Sequence, residues 1–433
     1  MYKRQTPESE AAILRSLRWA GLQWDEGPDV GGSVGPYRQS ERTELYQKYA
    51  KELVDNGHAY YCFATSEELA EMRRVAREQK LATSYDRRYR DLPASEVQER
   101  LGRGDSHVIR LKFPVDGVTV FQDELRGEVR IENTQIDDQI LLKSDGFPTY
   151  HLANVVDDHL MGITHVIRAE EWISSTPKHV RLYEAFGWEP PVFVHLPLLR
   201  NLDKSKISKR KNPVSLDFFR RAGYLPETLL NFLGMMGWSM PDESEKFTVE
   251  QMIEAFTWDR ISLAGPVFNV EKLEWLNGLY LRDMEPALLK ERIREEVLSD
   301  ELLDQMIPLL QERLRRLDDF VPMGSFFMTS DVSWTVEELM PKKMDKKTVY
   351  RGLKDLSAFM DTLTPWTADV IESGLAEWQE KNQEAWSKRN MYMLVRLIAT
   401  GRKASPPLFS SMEVVGKALC QDRFRRATLL FRP

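Results

Sequence analysis

The feature of this sequence that most constrains its fold is a pair of short apolar runs that flank one amphipathic segment. The first run begins at Thr164 and ends on an arginine and two carboxylates, and the second covers residues 192–196. Between the runs, Thr176 and Pro177 are typical of a helix start, and Gly187 is typical of a helix end. Two strands joined by one helix lie parallel in the same sheet. The sequence therefore predicts a strand–helix–strand unit of an α/β domain.

The second predicted strand leads into a loop that is rich in cations. Residues 204–211 contain five Lys or Arg and no acid. A solvated helix would interleave Glu and Lys at spacings of three and four, whereas Asn201 and Asp203 indicate a turn. Lysines and a serine hydroxyl are suited to an anion, above all to phosphate. From these residues alone three interpretations remain open: a solvated basic loop, a nucleic-acid contact and a nucleotide site.

Composition narrows the class of protein. The 433 residues, 42% hydrophobic and 29% charged, are typical of a soluble globular protein with two or more domains. A net charge of −7 argues against unselective coating of nucleic acid, although local basic patches can still bind a folded RNA. The two cysteines cannot form a disulfide framework, which favours a reducing cytosol. With no apolar stretch near the roughly 20 residues of a membrane helix and no visible secretory signal, we expect a cytoplasmic protein that has no membrane partner.

Polar residues before and after the first apolar run are candidates for ligand binding. Tyr150 and Asn154 are four residues apart, so on a helix they share one face and can offer a hydroxyl and an amide to one ligand. A satisfied network within the core is the alternative for this pair. Arg168 falls at the carboxyl end of the predicted strand, where doubly wound sheets bind their ligands. Its alternative is an internal salt bridge to Glu170 or Glu171.

A resemblance to a known family bears on these alternatives. Residues 206–210, Lys-Ile-Ser-Lys-Arg, resemble the lysine-serine-lysine loop of class I aminoacyl-tRNA synthetases, and with their flanks they resemble the form found in glutamyl-tRNA synthetases. The similarity runs from Thr6 to the C-terminus, is close over residues 25–42, is strongest over residues 146–277 and is weakest after Asp283. It implies an α/β fold: a Rossmann-like parallel sheet with an α+β insertion, followed by an all-α anticodon-binding region.

The resemblance also implies a division into domains. Basic clusters in the helical tail, each of which alone is typical of solvated surface, together resemble an anticodon-binding region. The implied regions are a catalytic domain at 1–61 and 147–203, an acceptor-binding insertion at 62–146, a phosphate-loop and stem-contact region at 204–282, and a helical anticodon-binding region at 283–433.

In this family ATP activates the α-carboxylate of glutamate to an adenylate, and the acyl group then passes to the terminal ribose of tRNA(Glu). By resemblance, the ATP-binding residues are Glu171, Leu199, Lys206, Ile207, Ser208, Lys209 and Arg210. Of these, Lys206, Ser208 and Lys209 are expected to act in catalysis. The residues expected to bind L-glutamate are Tyr150, His151, Leu152, Ala153, Asn154 and Arg168. Mg²⁺ is expected on the phosphates, and the expected protein is a monomer that binds no DNA.

Two departures from the family pattern affect these expectations. The family's leading strand and histidine loop have no counterpart before Thr6, so we expect an N-terminally truncated copy that binds tRNA(Glu) but charges it poorly. Many members hold zinc in the insertion, but this chain has Ala64 and Tyr89 at two of the ligand positions beside Cys62 and Tyr85. A lone thiol cannot hold Zn²⁺, so no zinc is predicted. The alternatives to an active ligase are an impaired tRNA-binding form and a glutaminyl-type enzyme of the same class.

Overall fold

The structure, a computed structural model, describes residues 7–79, 84–207 and 215–432. The strands in these ranges are β1 (Ala59–Cys62), β2 (Val108–Leu111), β3 (Val118–Asp123), β4 (Gly127–Glu132), β5 (Ile140–Leu142), β6 (His165–Ala169) and β7 (Val192–Leu196). The helices of the first half are α1 (Pro7–Trp19), α2 (Thr43–Asp55), α3 (Ser66–Glu78), α4 (Ala94–Gly102), α5 (Tyr150–Leu160), α6 (Thr176–Phe186), α7 (Leu216–Arg221), α8 (Pro226–Gly234) and α9 (Val249–Ala255). Those of the second half are α10 (Val270–Asp283), α11 (Pro286–Glu296), α12 (Asp300–Leu310), α13 (Phe320–Met328), α14 (Val336–Leu339), α15 (Lys346–Met360), α16 (Ala368–Lys381), α17 (Lys388–Thr400), α18 (Leu408–Val415) and α19 (Lys417–Leu430).

The predicted strand–helix–strand unit is confirmed as β6, α6 and β7. The two strands are parallel, and Arg168 lies opposite His195 in their register. Helix α6 begins with Pro177 in its first turn and ends at Gly187, whose φ of 68° is the left-handed conformation that glycine adopts without strain. Because both strands run in the same direction, their carboxyl ends, Ala169 and Leu196, meet at one edge of the sheet.

The sheet is mixed rather than parallel throughout. Its strand order is β4-β3-β7-β6, with β7 parallel to β3 and β3 antiparallel to β4. A turn of three residues joins β3 to β4, and so short a connection allows only antiparallel pairing. Both strands of this hairpin come from residues 62–146, so the proposed insertion contributes half of the sheet that carries the site. The division of the chain into domains remains a proposal.

Helix α5 is held against α2 by a buried charged cluster. The carboxylate of Asp157 accepts hydrogen bonds from Arg42 Nε at 2.8 Å and from the Tyr46 hydroxyl at 2.8 Å. The Gln39 amide adds a further hydrogen bond to Asp157 at 3.0 Å. On the apolar side of α5, Leu152 and Val155 are fully buried in a core that also contains residues of α2, α6 and a second, three-stranded sheet of order β1-β2-β5. This packing fixes the orientation of the opposite, polar face of α5.

The predicted all-helical tail is confirmed from α11 onward. Its large apolar core extends from α7 and α8 through α19. Arg423 on α19 is fully buried, and its guanidinium donates hydrogen bonds to backbone carbonyls at Ala399, Phe326 and Thr329, each near the end of another helix. One side chain thereby satisfies terminal carbonyls of α13 and α17. Across the described ranges, no helix has the length and apolar character needed to cross a membrane.

Candidate active site

One face of α5 carries the polar residues of the site. Tyr150, Asn154 and Asp158 recur at every fourth position and therefore line one side of the helix. The Asn154 amide nitrogen donates a hydrogen bond to Asp158 Oδ2 at 2.8 Å. The Tyr150 ring contacts Trp172, with 5.1 Å between ring centroids. The sequence predicted that Tyr150 and Asn154 share one face of a helix, and the structure adds Asp158 to that face one turn further on.

Arg168, near the end of β6, faces the same side of α5. Its guanidinium carbon lies 5.9 Å from the centroid of the Tyr150 ring and 5.6 Å from that of Trp172, within the range of cation–π attraction. No ion pair joins Arg168 to either of the two acids that follow the strand, among the residues that the structure describes. Glu170 pairs instead with Arg126 at 2.8 Å, and Glu171 pairs with Lys206. The internal salt bridge considered as an alternative for Arg168 is therefore not formed.

Three buried polar atoms on α5, β6 and α6 have no hydrogen-bond partner in the described part of the chain: Arg168 Nη1, Asn154 Oδ1 and the Tyr183 hydroxyl. The side chains are close enough to affect one another, because the charges of Asp158 and Arg168 both act on the pKa of Tyr183, which burial raises. Buried polar groups are nearly always hydrogen-bonded, and an unpaired one costs about 1–3 kcal/mol. Two donors and one acceptor left unpaired in one place indicate a site for a polar ligand. The unpaired oxygen of Asn154 does not fit the satisfied core network considered as the alternative for that residue.

Asp158 has an unusual titration for a carboxyl group. Burial raises its pKa to about 6, outweighing the opposing effect of the nearby Arg168 charge, and the Asp157 carboxylate contributes to the increase. The carboxyl group is therefore mostly ionised at pH 7 and accepts the hydrogen bond from Asn154. Below pH 6 it gains a proton. A carboxyl group that titrates near neutral pH beside a pocket is typical of functional sites.

Histidines next to Tyr150 form a buried network that is neutral at pH 7. His151 Nδ1 lies 2.9 Å from His179 Nε2, and burial lowers the pKa of His151 to about 4. His195 Nδ1 lies 2.6 Å from Asp123 Oδ2, and the other ring nitrogen lies 3.2 Å from the hydroxyl of Thr176. Burial lowers the pKa of His195 as well, against the opposing effect of Asp123. The predicted ligand residue His151 is thus partnered to another histidine, and the network supports the segment around Thr176.

Arg126 connects the strand ends. It lies just before β4, and its guanidinium donates to the carbonyl of His195 at 3.3 Å and to Glu170 Oε2 at 2.8 Å. The other oxygen of Glu170 accepts a hydrogen bond from the backbone of Leu198 at 3.4 Å. The β3–β4 hairpin therefore holds the ends of β6 and β7 together at the edge where the predicted ATP residues emerge.

The first part of the basic loop is a turn, as the sequence predicted. The Asn201 side chain donates to Ser205 Oγ at 3.0 Å and to the Lys206 carbonyl at 3.1 Å. The backbone of Ile207 donates to the carbonyl of Leu199 at 3.2 Å, and both of these side chains pack against the core of the helical region. Lys206 reaches back from this turn to Glu171, so two of the predicted ATP residues are in contact. Ser208, Lys209 and Arg210 lie outside the described residues.

The other predicted glutamate residues have different surroundings. The side chains of Leu152 and Ala153 are fully buried in the apolar core, so only their backbone atoms are available to a ligand. Asp158, Tyr183 and Trp172 were missed by the sequence reasoning. The spacing of Asp158 from Tyr150 could have identified it, because the two residues are eight positions apart on one helical face.

At the zinc positions of the family, the two remaining ligand-type residues contact each other. The Cys62 thiol donates to the Tyr85 hydroxyl at 3.2 Å, and Tyr89 donates to the Glu68 carboxylate at 3.1 Å. The described part of the chain contains no group of three or more His, Cys, Asp or Glu arranged to hold a metal.

Comparison with known proteins identifies relatives over nearly the whole chain. The family model described as tRNA synthetases class I (E and Q), catalytic domain, matches residues 2–275, and an anticodon binding domain model matches residues 275–428. A glutamate–tRNA ligase of Cellvibrio japonicus is 50% identical over 425 residues, covering 98% of this chain and 84% of that protein. The glutamate–tRNA ligase of a Marinomonas species is 47% identical over 428 residues, covering 98% of this chain and 86% of that protein.

A solved structure supports the same relationship. The crystal structure of a glutamate tRNA ligase from Elizabethkingia meningosepticum, in complex with its amino acid, matches with a TM-score of 0.63 at 32% sequence identity. The match covers 99% of this chain and 91% of that chain.

Proposed function

The chain belongs to the glutamate–tRNA ligase family of class I tRNA synthetases, and we propose that L-glutamate binds in the pocket between α5, β6 and α6 while ATP binds beside it at the strand ends. The observation that carries this proposal is the set of unpaired buried atoms on Arg168, Asn154 and Tyr183. Glutamate supplies what these atoms lack, because its two carboxylates accept hydrogen bonds and its ammonium group donates them.

Arg168 would bind one carboxylate of glutamate. Its guanidinium presents a planar pair of donors that matches a carboxylate, and it lies over the aromatic rings of Tyr150 and Trp172 without an ion pair to Glu170 or Glu171 among the described residues. The hydroxyl groups of Tyr150 and Tyr183 are further candidates to orient the substrate. Burial raises the pKa of both phenols, so each stays protonated and able to donate at neutral pH.

ATP would bind where Glu171 and the turn at Leu199 meet the basic loop. Lys206 is more than half exposed, and its ion-pair partner among the described residues is Glu171, which is itself nearly half exposed. Such a surface pair contributes about 0–1 kcal/mol, so Lys206 can move to a phosphate at little cost. We expect Ser208, Lys209 and Arg210 to complete the phosphate contacts, as the family resemblance implies.

The reaction then depends on positioning and electrostatics. The α-carboxylate of glutamate attacks the α-phosphorus of ATP and pyrophosphate leaves; the terminal hydroxyl of tRNA next attacks the acyl carbon and AMP leaves. Lys206 and Lys209 would offset the negative charge that develops on the departing pyrophosphate. The neutral histidines of the pocket are structural in this scheme, because a pKa near 4 makes His151 a poor proton carrier at pH 7. Mg²⁺, which prefers phosphate and water oxygens, would be held mainly by ATP and would neutralise part of the same charge.

The helical region would bind the tRNA. Its match to an anticodon binding domain supports tRNA(Glu) as the partner, and basic side chains such as Arg315 and Arg316 on its surface can contact phosphates. Relatives with the name glutamate–tRNA ligase support this function over a glutaminyl-type enzyme and over a tRNA-binding protein without catalysis.

Aminoacylation of tRNA(Glu) by the 433-residue chain tests the proposal. We expect slow, ATP-dependent incorporation of radiolabelled glutamate into tRNA through an alkali-labile ester bond, and no incorporation when glutamine replaces glutamate. Equal charging with glutamine would indicate the glutaminyl-type alternative. Tight tRNA binding with no charging of either amino acid would support the non-catalytic alternative.

A further inference from the structure

We propose that Asp158 is a positioning residue that fixes the orientation of the Asn154 amide, so that the Asn154 carbonyl oxygen faces the ligand and accepts a hydrogen bond from the ammonium group of glutamate. This inference rests on the proposed function and goes beyond it by assigning the residue that sets the polarity of one wall of the pocket. Asp158 would act through Asn154 and need not touch the substrate.

The chemistry of the two side chains determines the orientation. An ionised carboxylate can only accept hydrogen bonds, so the Asn154 group 2.8 Å from Asp158 Oδ2 must be the amide nitrogen. The carbonyl oxygen of the same amide then points away from Asp158. That oxygen is buried and has no partner among the described residues.

The ligand must therefore supply a donor at this position. At neutral pH both carboxylates of glutamate accept hydrogen bonds, and its only donor is the ammonium group. Arg168, on the facing strand, has an unpaired Nη1 and can only donate. The pocket thus has an acceptor wall at Asn154 and a donor wall at Arg168, which sets the direction in which the amino acid binds.

Protonation of Asp158 should release this constraint. A protonated carboxyl group can donate to the Asn154 carbonyl, which would allow the amide to turn its nitrogen toward the ligand. The titratable or charged groups that face Asp158 are Arg168 on β6, Tyr183 on α6, and Tyr150 and Asp157 on its own helix. Both phenols titrate well above neutral pH, Asp157 is held in its ion pair with Arg42, and β5 carries no charged residue. With the pKa of Asp158 raised to about 6, the effect should appear between pH 7.5 and pH 5.5.

Calorimetric titration of the full chain with L-glutamate and with glutarate, which lacks the ammonium group, provides the test. The wild type should bind glutamate more tightly than glutarate. Asp158→Asn should weaken glutamate binding about tenfold or more, the usual consequence of leaving a buried polar group mismatched. It should leave glutarate binding little changed, so that discrimination between the two ligands is lost. Asp369→Asn, which removes an exposed carboxylate from α16, is the matched control and should bind like the wild type.

Exchanging the two side chains gives a rescue test. Asn154→Asp alone places two carboxylates against each other and should weaken binding. The double variant Asn154→Asp with Asp158→Asn restores one amide and one carboxylate, with an acceptor still facing the ligand, and should recover glutamate affinity to within about threefold. A purely structural role for Asp158 would not predict a change in the preference for glutamate over glutarate.

Each outcome decides the matter. Loss of discrimination in Asp158→Asn, or in the wild type below pH 6, supports the assignment, and the pH titration serves if the variants do not fold. Unchanged discrimination with normal glutamate binding, or a double variant weaker than both single variants, overturns the role of Asp158 and leaves the proposed function intact. If the wild type binds neither glutamate nor glutarate, both the role of Asp158 and the proposed glutamate site are wrong.

Discussion

Replacing Arg168 by Met separates a binding role from a structural one. Methionine has a similar reach but carries no charge and no donor. In the unliganded protein, we expect two opposing consequences. Removing the unpaired Nη1 relieves a desolvation cost of about 1–3 kcal/mol. Losing the cation–π contacts to Tyr150 and Trp172 costs about 0.5–1 kcal/mol each.

These two effects oppose each other, so the free energy of unfolding should change by no more than about 2 kcal/mol in either direction. Glutamate binding, in contrast, should lose the about 2–5 kcal/mol that is typical of truncating one partner of a buried, hydrogen-bonded charge pair. This corresponds to a dissociation constant about 30- to 4,000-fold higher. Arg168→Lys should also bind weakly, because a point charge cannot reproduce two parallel hydrogen bonds to one carboxylate.

Thermal unfolding with and without glutamate measures both quantities. Glutamate at 100 times its dissociation constant for the wild type should stabilise the folded wild type by about 2.7 kcal/mol. The same concentration should stabilise Arg168→Met hardly at all. If the variant were destabilised by about 3–5 kcal/mol without ligand, as expected when a buried ion pair is broken, Arg168 would have an internal partner. Wild-type affinity for glutamate would refute its role in the pocket.

Two further substitutions test other parts of the site. Lys206→Ala should slow ATP–pyrophosphate exchange, measured with tRNA(Glu) present, by about 100-fold, because it removes a cation that stabilises phosphate charge, while the calorimetric affinity for glutamate stays close to wild type. Unchanged exchange would remove Lys206 from the catalytic residues. Asp157→Asn should lower the free energy of unfolding in urea by about 3–5 kcal/mol, because Arg42 would remain as a buried charge with no ion-pair partner in the described chain. The control Asp369→Asn, which changes an exposed residue, should have no comparable effect. Equal urea midpoints for the two variants would contradict this role of Asp157.

The local elements around the site were predictable because their signals are local. Pro177 at the start of α6 and Gly187 at its end act within a single turn of helix, and the apolar run of β7 was predicted with its observed bounds. The pairing of β3 with β7 was not predictable in this way. These strands are separated by about 70 residues, and only a close approach at Asp123 and Phe193 joins them in the ladder. No local pattern specifies such a contact.

Asp158 shows a different limit of sequence reasoning. An acid in the last turn of a helix faces the negative end of the helix dipole, and α5 has two there, at Asp157 and Asp158. The sequence therefore carried a signal that these residues serve some purpose other than helix stability. It could not indicate that Asp157 is partnered by Arg42 while Asp158 faces a pocket, because that distinction depends on which neighbours pack on each side of the helix.

The unpaired polar groups are retained because the helices that carry two of them are held in place by fully buried apolar side chains. Helix α5 presents Asn154 from one face while Leu152 and Val156 are fully buried on the other, and Tyr183 follows the fully buried Leu182 on α6. Side chains fixed by such packing cannot turn to find partners within the protein, so the cost of each unpaired atom persists until a ligand arrives. A more mobile pocket would pair Arg168 with an available acid such as Glu170, but Arg126 already occupies that carboxylate. The ion pair between Arg126 and Glu170 thus leaves the Arg168 guanidinium available for the substrate.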